Sequence, residues 1–467
     1  MPNPTVAAAP VIVIGGGISG LACAFRLKQL GIPALLFEKS DRFGGVISTA
    51  EQDGFLFEFG PQGVLLTPTV AELVEAVGMA DEMLRADPRA PRFIYFGGKL
   101  VPAPMSPPAL LKSSLLDLAT KWRLASEPLR HSHPPEFDES VAAFVRRKFG
   151  ASLLDNLVAP FVSGVYAGDP EQLSLRAAFP QVHEWEKTHG SVLRGAIKQM
   201  RQKPKDGGER SGLVSFPRGV GSFLDALRAR LGTSVHSGVS VNSVTLGDEG
   251  SGARFTLEIE TGERRETIAA SAVVIATEPH AAANLLRPIS LQFERLLEPI
   301  AMVRVAMVAA GYRRKAVGHL LDGFGFLVPR KEGLRTLGTV WNSSLFPGRA
   351  PQGHVAMTSF VGGATDPEIT TRPEEQIAAT VHEELARVLQ IREQPVVQRV
   401  HRYERALPQY NIGHTARIEQ LEQLCRENPG IYVAGNYLGG PSFGACVERA
   451  FQVAREIEAA VHPAGNV

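Results

Sequence analysis

Cysteine is scarce in this sequence, and long apolar runs are missing from it. Three cysteines occur among 467 residues, and Cys23, Cys425 and Cys446 show neither a disulfide framework nor the spacing of a metal site. This usage indicates a reducing compartment. No uninterrupted apolar run reaches the roughly 18 residues of a membrane-spanning helix, and the first residues lack the basic segment of a secretion signal. We therefore expect a cytoplasmic protein.

An excess of charge of one sign is also absent. Lys and Arg number 49 against 48 Asp and Glu, so the formal net charge is +1. Such a chain has no global positive field to attract DNA or RNA, and we expect no nucleic-acid partner. The His131-x-His133 pair lies in a proline-rich segment, which indicates surface histidines, and we predict no metal site.

A complete nucleotide-binding pattern is present near the amino terminus. It consists of an apolar strand Val11–Ile14, the turn Gly15-x-Gly17-x-x-Gly20, a helical pattern ending at Gly31, a second strand Ala34–Phe37, and Glu38. The glycines permit a tight turn and let the backbone approach a pyrophosphate, and the helix N-terminus offers unpaired N–H groups to it. An acidic residue at the end of the second strand accepts hydrogen bonds from ribose hydroxyls. The unit predicts dinucleotide binding.

The next segments specify the dinucleotide by resemblance. Glu38-x-x-x-Arg42-x-Gly44-Gly45 and the stretch 55–63 resemble signatures of the FAD-binding amine-oxidase and porphyrinogen-oxidase superfamily. A second strand, glycine turn and helix near 431–444 places a helix N-terminus that we expect to face the flavin. The resemblance implies FAD. The implied cofactor contacts are Gly15, Gly16, Gly17, Ile18, Ser19, Gly20, Glu38, Lys39, Arg42, Gly44, Gly45, Gly60, Pro61, Gln62, Gly63, Val239, Tyr403, Gly435, Pro441, Ser442 and Phe443.

The arrangement of these segments predicts an α/β protein with three parts. We expect a Rossmann-like FAD-binding domain from residues 1–85, 212–290 and 425–467, a substrate-binding domain with a mixed β-sheet from 86–104 and 291–424, and a mostly helical insert from 105–211. The polar, glycine-rich residues 201–212 are predicted to form a surface loop.

Four central stretches narrow the resemblance to the protoporphyrinogen oxidase family. They are 89–104, 159–180, 323–351 and 360–363, and the likeness covers nearly the whole chain. It implies FAD-dependent oxidation of protoporphyrinogen IX to protoporphyrin IX in haem or chlorophyll synthesis, with O₂ as acceptor and H₂O₂ as product. Flavin N5 would take hydride from a bridging carbon, so no catalytic side chain is expected.

The same resemblance assigns roles in binding the tetrapyrrole substrate. Leu327, Val340 and Phe360 match residues that sandwich pyrrole rings, Arg92 matches an arginine that pairs with a propionate, and Gly164 matches a glycine that approaches the macrocycle. Gln62 stands where some family members carry arginine, which leaves its role beside the flavin or a propionate open.

The resemblance also bears on membrane association. Family members often associate with membranes through the helical part, and Leu110–Leu129 has the leucine pattern of either an interfacial or a core-packing helix. We expect peripheral association with the inner face of the cell membrane, and a homodimer is compatible with the sequence.

The rival functions are coproporphyrinogen III oxidation, a flavin amine oxidase or carotenoid desaturase, and a binding protein resembling the GDP-dissociation inhibitors.

Overall fold

A computed structural model describes residues 9–202, 212–247 and 253–462, so residues 203–211 of the predicted surface loop lie outside the described residues. The first elements fold into a β–α–β unit followed by short strands. They are β1 (Val11–Ile14), α1 (Ile18–Gln29), β2 (Ala34–Glu38), β3 (Thr49–Gln52), β4 (Phe55–Glu58), β5 (Val64–Leu65), α2 (Pro68–Val77) and β6 (Leu84–Arg85).

A β-hairpin and a run of helices follow. They are β7 (Arg92–Phe96), β8 (Lys99–Pro102), α3 (Pro107–Lys112), α4 (Leu118–Ser126), α5 (Val141–Lys148), α6 (Ala151–Leu153), α7 (Ala159–Tyr166), α8 (Leu175–Ala178), α9 (Pro180–His189) and α10 (Val192–Gln202). The stretch Leu110–Leu129 forms two short helices and a 3₁₀ turn rather than one helix. The second helix starts afresh because the Asp117 carboxylate accepts a hydrogen bond from the Thr120 N–H at 2.7 Å.

The remaining elements complete two sheets. The first group is β9 (Leu213–Ser215), α11 (Val220–Leu231), β10 (Val235–Ser237), β11 (Val239–Leu246), β12 (Phe255–Thr261), β13 (Arg264–Ala270), β14 (Ala272–Ile275), α12 (Pro279–Leu286) and α13 (Leu291–Leu297). The second is β15 (Met302–Arg313), β16 (Gly325–Leu327), β17 (Thr336–Val340), α14 (Asn342–Leu345), β18 (His354–Gly362), α15 (Glu374–Leu389), β19 (Val397–Pro408), α16 (His414–Glu427), β20 (Ile431–Val433) and α17 (Phe443–Val461).

A parallel five-stranded sheet, in the order β10-β2-β1-β14-β20, organises the nucleotide-binding part. Its central strands are apolar on both faces because both are covered: α1, α11 and α17 pack on one face, and the β11–β13 meander with α12, α13 and α16 packs on the other. All five strands point the same way. The ends of β1, β2 and β20 therefore meet at one edge, where ligands of such sheets bind.

A mixed seven-stranded sheet, in the order β19-β15-β18-β17-β16-β7-β8, forms the second part. Its strands fall within residues 86–104 and 291–424. Helix α15 covers one face through Ile377, Val381 and Leu385, while the β3–β4 hairpin lies against part of the other face through Phe55, Phe57 and Phe59. The second face therefore looks towards the nucleotide-binding part.

Candidate functional site

The glycine turn after β1 has the geometry that its sequence requires. Gly15 has φ +109°, and a β-carbon there would lie 2.7 Å from the Ala276 carbonyl oxygen. A β-carbon on Gly20 would collide with the Gly15 carbonyl oxygen. These two glycines therefore serve the tight packing of the turn and of α1 on the sheet.

Gly17 has a different environment, and it provides the test of whether a diphosphate fits. A β-carbon on Gly17 would meet no described atom within 4 Å, and Gly45 faces it, with its own β-carbon position 3.4 Å from the Gly17 Cα. Helix α1 starts here without a side-chain cap and without an acidic residue in its first turn. The open space, the unpaired N–H groups and the positive end of the helix dipole suit the diphosphate of FAD.

Ile18 and Ser19, two further predicted cofactor contacts, offer the site their backbone rather than their side chains. Both side chains are buried, and the Ser19 hydroxyl is hydrogen-bonded to the Cys446 thiol of α17. Burial raises the pKa of Cys446 to about 11, so the thiol stays protonated. The Ser19 side chain thus joins α1 to α17, and the Ile18 side chain packs in the core.

Glu38 lies at the end of β2, at the same edge of the sheet. Its Oε2 accepts a hydrogen bond from the Gly16 N–H at 2.6 Å, and its Oε1 accepts one from the Ser40 N–H at 2.8 Å. The neighbouring Gly238 N–H donates to the Ser40 carbonyl at 3.0 Å, which brings Val239 beside Glu38, while Lys39 is exposed. The carboxylate is thereby fixed beside the glycine turn, where a ribose is expected.

The second signature closes the other side of the turn. The Gly44 N–H donates to the Gly16 carbonyl at 2.8 Å, and the Arg42 guanidinium donates to the Ile47 carbonyl at 3.1 Å. Arg42 therefore holds the loop in shape. The Tyr403 hydroxyl lies 2.5 Å from the Phe59 carbonyl and 2.9 Å from the Val46 carbonyl, which ties β19 to the same loop and to Gly60.

The Gln62 side chain takes part in a buried hydrogen-bond network. Its amide nitrogen lies 3.0 Å from the carbonyls of both Glu58 and Gly60, and its Oε1 accepts from Asn342 Nδ2 at 2.5 Å. Asn342 in turn accepts from the Thr358 hydroxyl at 2.9 Å. Gln62 thus fixes the Gly60–Gly63 loop, including Pro61, to the seven-stranded sheet. Sequence reasoning gave no role to Asn342, although it lies in the 323–351 stretch, or to Thr358.

The carboxyl end of β20 leads into the flavin-facing turn expected from the sequence. Gly435 has φ +156°, and a β-carbon there would lie 2.7 Å from the Tyr437 ring. The Ser442 hydroxyl, just after Pro441, accepts from the Ala445 N–H at 3.2 Å and so caps α17, while the Phe443 ring packs 5.9 Å from the Phe223 ring. The cap takes the Ala445 N–H and leaves the earlier first-turn N–H groups, those of Phe443 and Gly444, for a ligand.

The predicted substrate residues are brought together on one face of the seven-stranded sheet. In one row across the strands, Leu327 pairs with Gly338, which pairs with Phe360. In the row two residues earlier on β16, Arg92 pairs with Gly325, which pairs with Val340. Because side chains two residues apart on a strand share a face, all four predicted side chains project towards the nucleotide-binding part. The three apolar ones are only partly buried.

Gly164 lies over this face. A β-carbon on this α7 residue would lie 2.5 Å from Leu327 Cδ2, and one on Gly338 would lie 2.8 Å from the same atom. At the end of α7, Ala167 takes the left-handed conformation with φ +47°, and its carbonyl accepts from the Ala364 N–H at 2.7 Å. Gly363, the last residue of the 360–363 stretch, allows that close approach, because a β-carbon there would collide with the Ala167 carbonyl oxygen, and so α7 packs tightly onto the sheet.

Arg92 stands at the rim of this apolar surface. Its guanidinium lies over the Phe324 ring at 4.9 Å, and in the described parts of the chain it has no carboxylate partner. An exposed guanidinium held by a ring contact is suited to pair with a ligand carboxylate.

A buried ion pair, which sequence reasoning also missed, joins the β3–β4 hairpin to the segment between α14 and β18. Glu58 Oε1 accepts from the Val220 N–H at 2.8 Å, and Arg349 Nη2 lies 3.7 Å from that oxygen and 2.6 Å from the Ser215 hydroxyl. Burial raises the pKa of Glu58 and lowers the pKa of Arg349. Single charged residues such as these carry no pattern that would reveal the pair.

Comparison with known proteins identifies the family of the chain. The model of the flavin containing amine oxidoreductase family matches residues 18–458. Chloroplastic protoporphyrinogen oxidase of Nicotiana tabacum is 35% identical over 96% of this chain and 85% of its own, and coproporphyrinogen III oxidase of Bacillus subtilis (strain 168) is 29% identical over 94% and 96%. A crystal structure from Exiguobacterium sp. 255-15 superposes with a TM-score of 0.81 at 24% identity, covering 97% of this chain and 99% of that one.

The matched family model covers the second signature, the flavin-facing turn and the seven-stranded sheet, and the glycine turn just before residue 18 has the space and donors that the FAD diphosphate requires. The chain therefore belongs to the flavin-containing amine oxidoreductase family and is an FAD-dependent oxidoreductase.

Proposed function

We propose that this chain oxidises protoporphyrinogen IX to protoporphyrin IX. The observation that carries the proposal is the partly buried apolar surface of Leu327, Val340 and Phe360, with Arg92 at its rim and Gly164 above it. A large, nearly apolar macrocycle with carboxylate arms matches such a surface. The name of the Nicotiana tabacum relative supports the assignment.

The residues of the chain bind and orient the substrate in this proposal. The apolar side chains pack on the pyrrole rings and exclude water from them, and Arg92 pairs with a propionate and fixes the direction in which the macrocycle lies. Bound FAD supplies the two-electron acceptor, so no side chain is required as an acid, a base or a nucleophile.

Coproporphyrinogen III is the second candidate substrate, since the Bacillus subtilis relative bears that name. It has four propionates where protoporphyrinogen IX has two. Among the described residues of β7, β16, β17 and β18, Arg92 is the one arginine or lysine on the face that carries Leu327 and Phe360. One cation at this end of the surface favours the substrate with fewer carboxylates.

The test is an anaerobic mixture of the FAD-loaded protein with each porphyrinogen. We expect protoporphyrinogen IX to bleach the flavin absorbance faster, and porphyrin fluorescence to appear when air is admitted. Faster bleaching by coproporphyrinogen III would move the assignment to the second candidate. A flavin bleached by neither would overturn both.

Molecular oxygen is the proposed electron acceptor. Six electrons leave protoporphyrinogen IX in three two-electron steps, so balance requires three O₂ reduced to three H₂O₂ for each porphyrin formed. An oxygen electrode with a peroxide assay measures this ratio. Rapid turnover with a quinone and slow turnover with O₂ would contradict the proposal.

For localisation, the proposal is a cytoplasmic protein held at the inner face of the cell membrane. Leu118 and Trp122, one turn apart on α4, are 84% and 74% exposed, and Leu129 is 83% exposed, with the cations Lys121 and Arg130 nearby in sequence. Apolar and basic groups together support an interfacial contact with anionic lipid. None of the described helices is both long and apolar enough to cross a bilayer.

Vesicle co-sedimentation tests this contact. We expect Trp122→Ser to reduce binding to vesicles with anionic lipid, whereas Leu320→Ser, which removes a leucine of 74% exposure elsewhere, leaves binding unchanged. Equal binding by both variants would contradict the proposal. For the expected homodimer, light scattering on the purified protein without vesicles measures the molar mass in solution.

A further inference from the structure

The segment between β19 and α16 connects all three parts of the molecule. Gln409 Nε2 donates to the Tyr166 carbonyl at the end of α7 at 2.9 Å, and the Ser174 N–H of the helical part donates to the Tyr410 carbonyl at 2.8 Å. The Asp138 carboxylate accepts from the Gly413 N–H at 2.8 Å. Residues 410–413 are thus fixed to the helical part through their backbone, so the Tyr410 side chain and that of His414, which follows, are free for a second role.

Two side chains of this segment hold the flavin-facing turn. The Tyr410 hydroxyl donates to the Asn436 carbonyl at 2.6 Å, and His414 Nε2 lies 2.9 Å from the Tyr437 carbonyl. Their rings stack at 4.4 Å with an angle of 15° between planes, and both residues are buried. Two successive carbonyls of the turn are therefore held by one rigid pair.

The protonation state of His414 follows from these contacts. A carbonyl accepts but cannot donate, so Nε2 carries the proton. Burial lowers the pKa of His414 to about 4, so the imidazole is neutral near pH 7. Among the described atoms its Nδ1 is buried and has no hydrogen-bond partner, so the hydrogen bond to the turn is the one polar contact of this ring.

We infer that Tyr410 and His414 are positioning residues that hold the Gly435–Leu438 turn, and with it the start of α17, in the orientation that binds FAD. The Tyr410 ring also lies 5.9 Å from the Tyr166 ring, at the end of the helix that carries Gly164. The pair therefore links the position of the substrate-facing helix to the position of the turn. The inference rests on the proposed placement of the flavin beside this turn.

The experiment measures FAD binding rather than turnover. Tyr410→Phe removes one hydroxyl, His414→Leu removes the donor to the Tyr437 carbonyl, and His414→Gln offers an amide N–H in its place. We expect Tyr410→Phe and His414→Leu to raise the Kd for FAD, from fluorescence titration of the apoprotein, by about tenfold or more, and to shift the visible absorption band of bound flavin. We expect His414→Gln to return the Kd to within about threefold of the parent.

The matched control is Tyr312→Phe. Tyr312 is also fully buried, and its hydroxyl lies 3.0 Å from His382 Nδ1, but the pair lies under α15 on the other face of the seven-stranded sheet. Loss of apoprotein stability should be similar for Tyr312→Phe and Tyr410→Phe, whereas only the latter should weaken FAD binding.

Equal FAD affinity and equal spectra for Tyr410→Phe and Tyr312→Phe would overturn the inference, as would failure of His414→Gln to restore binding. Where His414→Leu fails to fold, Tyr410→Phe decides the outcome by itself. Because these measurements contain no porphyrinogen, a wrong substrate assignment leaves their result unchanged, and the two proposals fail separately.

Discussion

The two faces of the seven-stranded sheet are built from the same strands and differ in purpose. On β18, Met357 and Val361 point towards α15 and are fully buried, whereas Phe360 points towards the nucleotide-binding part and remains partly exposed. On the first face, Trp341 and Tyr312 are fully buried. On the second face, Leu327 is partly exposed and lies against Gly164 and Gly338, which have no side chain to displace it.

This difference separates stability from binding along a single strand. A closed face contributes to folding through contacts that any truncation removes. An open face keeps apolar surface partly accessible, which a globular protein retains where a ligand covers it. Substitutions one residue apart should therefore have different consequences.

The largest effect is expected from filling the open face. Gly164→Val places a branched side chain where even a β-carbon would lie 2.5 Å from Leu327, so Leu327 is driven into the substrate space. We expect porphyrinogen oxidation to fall by about a thousandfold, or ~4 kcal/mol, while the flavin spectrum is retained.

The control for this substitution is a compensating pair. Gly164→Ala with Leu327→Ala removes the colliding atoms, and we expect it to recover much of the activity lost in Gly164→Val. Loss of FAD from Gly164→Val would contradict the open-face interpretation and would assign the glycine to the fold or the cofactor.

The next effect is on the closed face. Met357→Ala leaves a cavity against α15 at a position that is 0% exposed. We expect a loss of about 3 kcal/mol in the free energy of unfolding, measured by denaturant titration, with KM and the FAD Kd unchanged. A raised KM at unchanged stability would show that the two faces are not independent.

Local order in the sequence explains what could be predicted. The β1–α1–β2 unit lies within residues 11–38, and its strands pair in register from Val11 with Ala34. Strand, turn and helix signals are all contiguous there, so elementary rules of turn geometry and helix ends suffice. The helical character of 105–202 was predictable for the same reason, although Asp117 divides the Leu110–Leu129 stretch into two helices.

The site depends on pairings that no local pattern encodes. Arg92 and Gly325 are neighbours in the sheet through pairing of β7 with β16, and Gly164 meets Leu327 across two parts of the chain. The family resemblance named these residues, but it gave no reason for their proximity. Likewise α13 and α16, which the predicted boundaries place in the substrate domain, pack on the core of the five-stranded sheet.

Gln62 shows how structure changes the meaning of a departure from a family pattern. The sequence left its role open between flavin and propionate, yet its amide is shared among two carbonyls and Asn342 in a buried network. The hydrogen-bonding capacity of a side chain can be assigned only when its partners are known, and those partners lie as far away as residue 342.

A moderate effect is expected at the rim of the open face. Arg92→Ala removes the guanidinium that is free to pair with a propionate, and we expect KM to rise by about tenfold to thirtyfold with little change in stability, since Arg92 is exposed. Arg92→Lys keeps the charge without the bidentate geometry, so its KM should lie between those of the parent and of Arg92→Ala. An unchanged KM would remove Arg92 from the binding surface.

The smallest effect concerns pH and the closed face. Burial lowers the pKa of His382, whose Nδ1 lies 3.0 Å from the Tyr312 hydroxyl. The folded protein therefore binds this proton less readily than the unfolded chain, so the stability contributed by neutral His382 is complete above the ordinary histidine pKa of about 6.5 and declines as pH falls below it.

The measurement compares Tm at pH 7.5 and pH 5.5 for the parent and for His382→Gln. His319, His401 and His414 also have pKa values lowered by burial, so the parent should lose stability with acid in any case, and the variant should lose about 1 °C less. An equal loss of Tm between pH 7.5 and pH 5.5 in the parent and in His382→Gln would mean that protonation of His382 does not destabilise the folded state. The face under α15 would then be more open to water than its packing indicates, and the contrast between the two faces would be weaker.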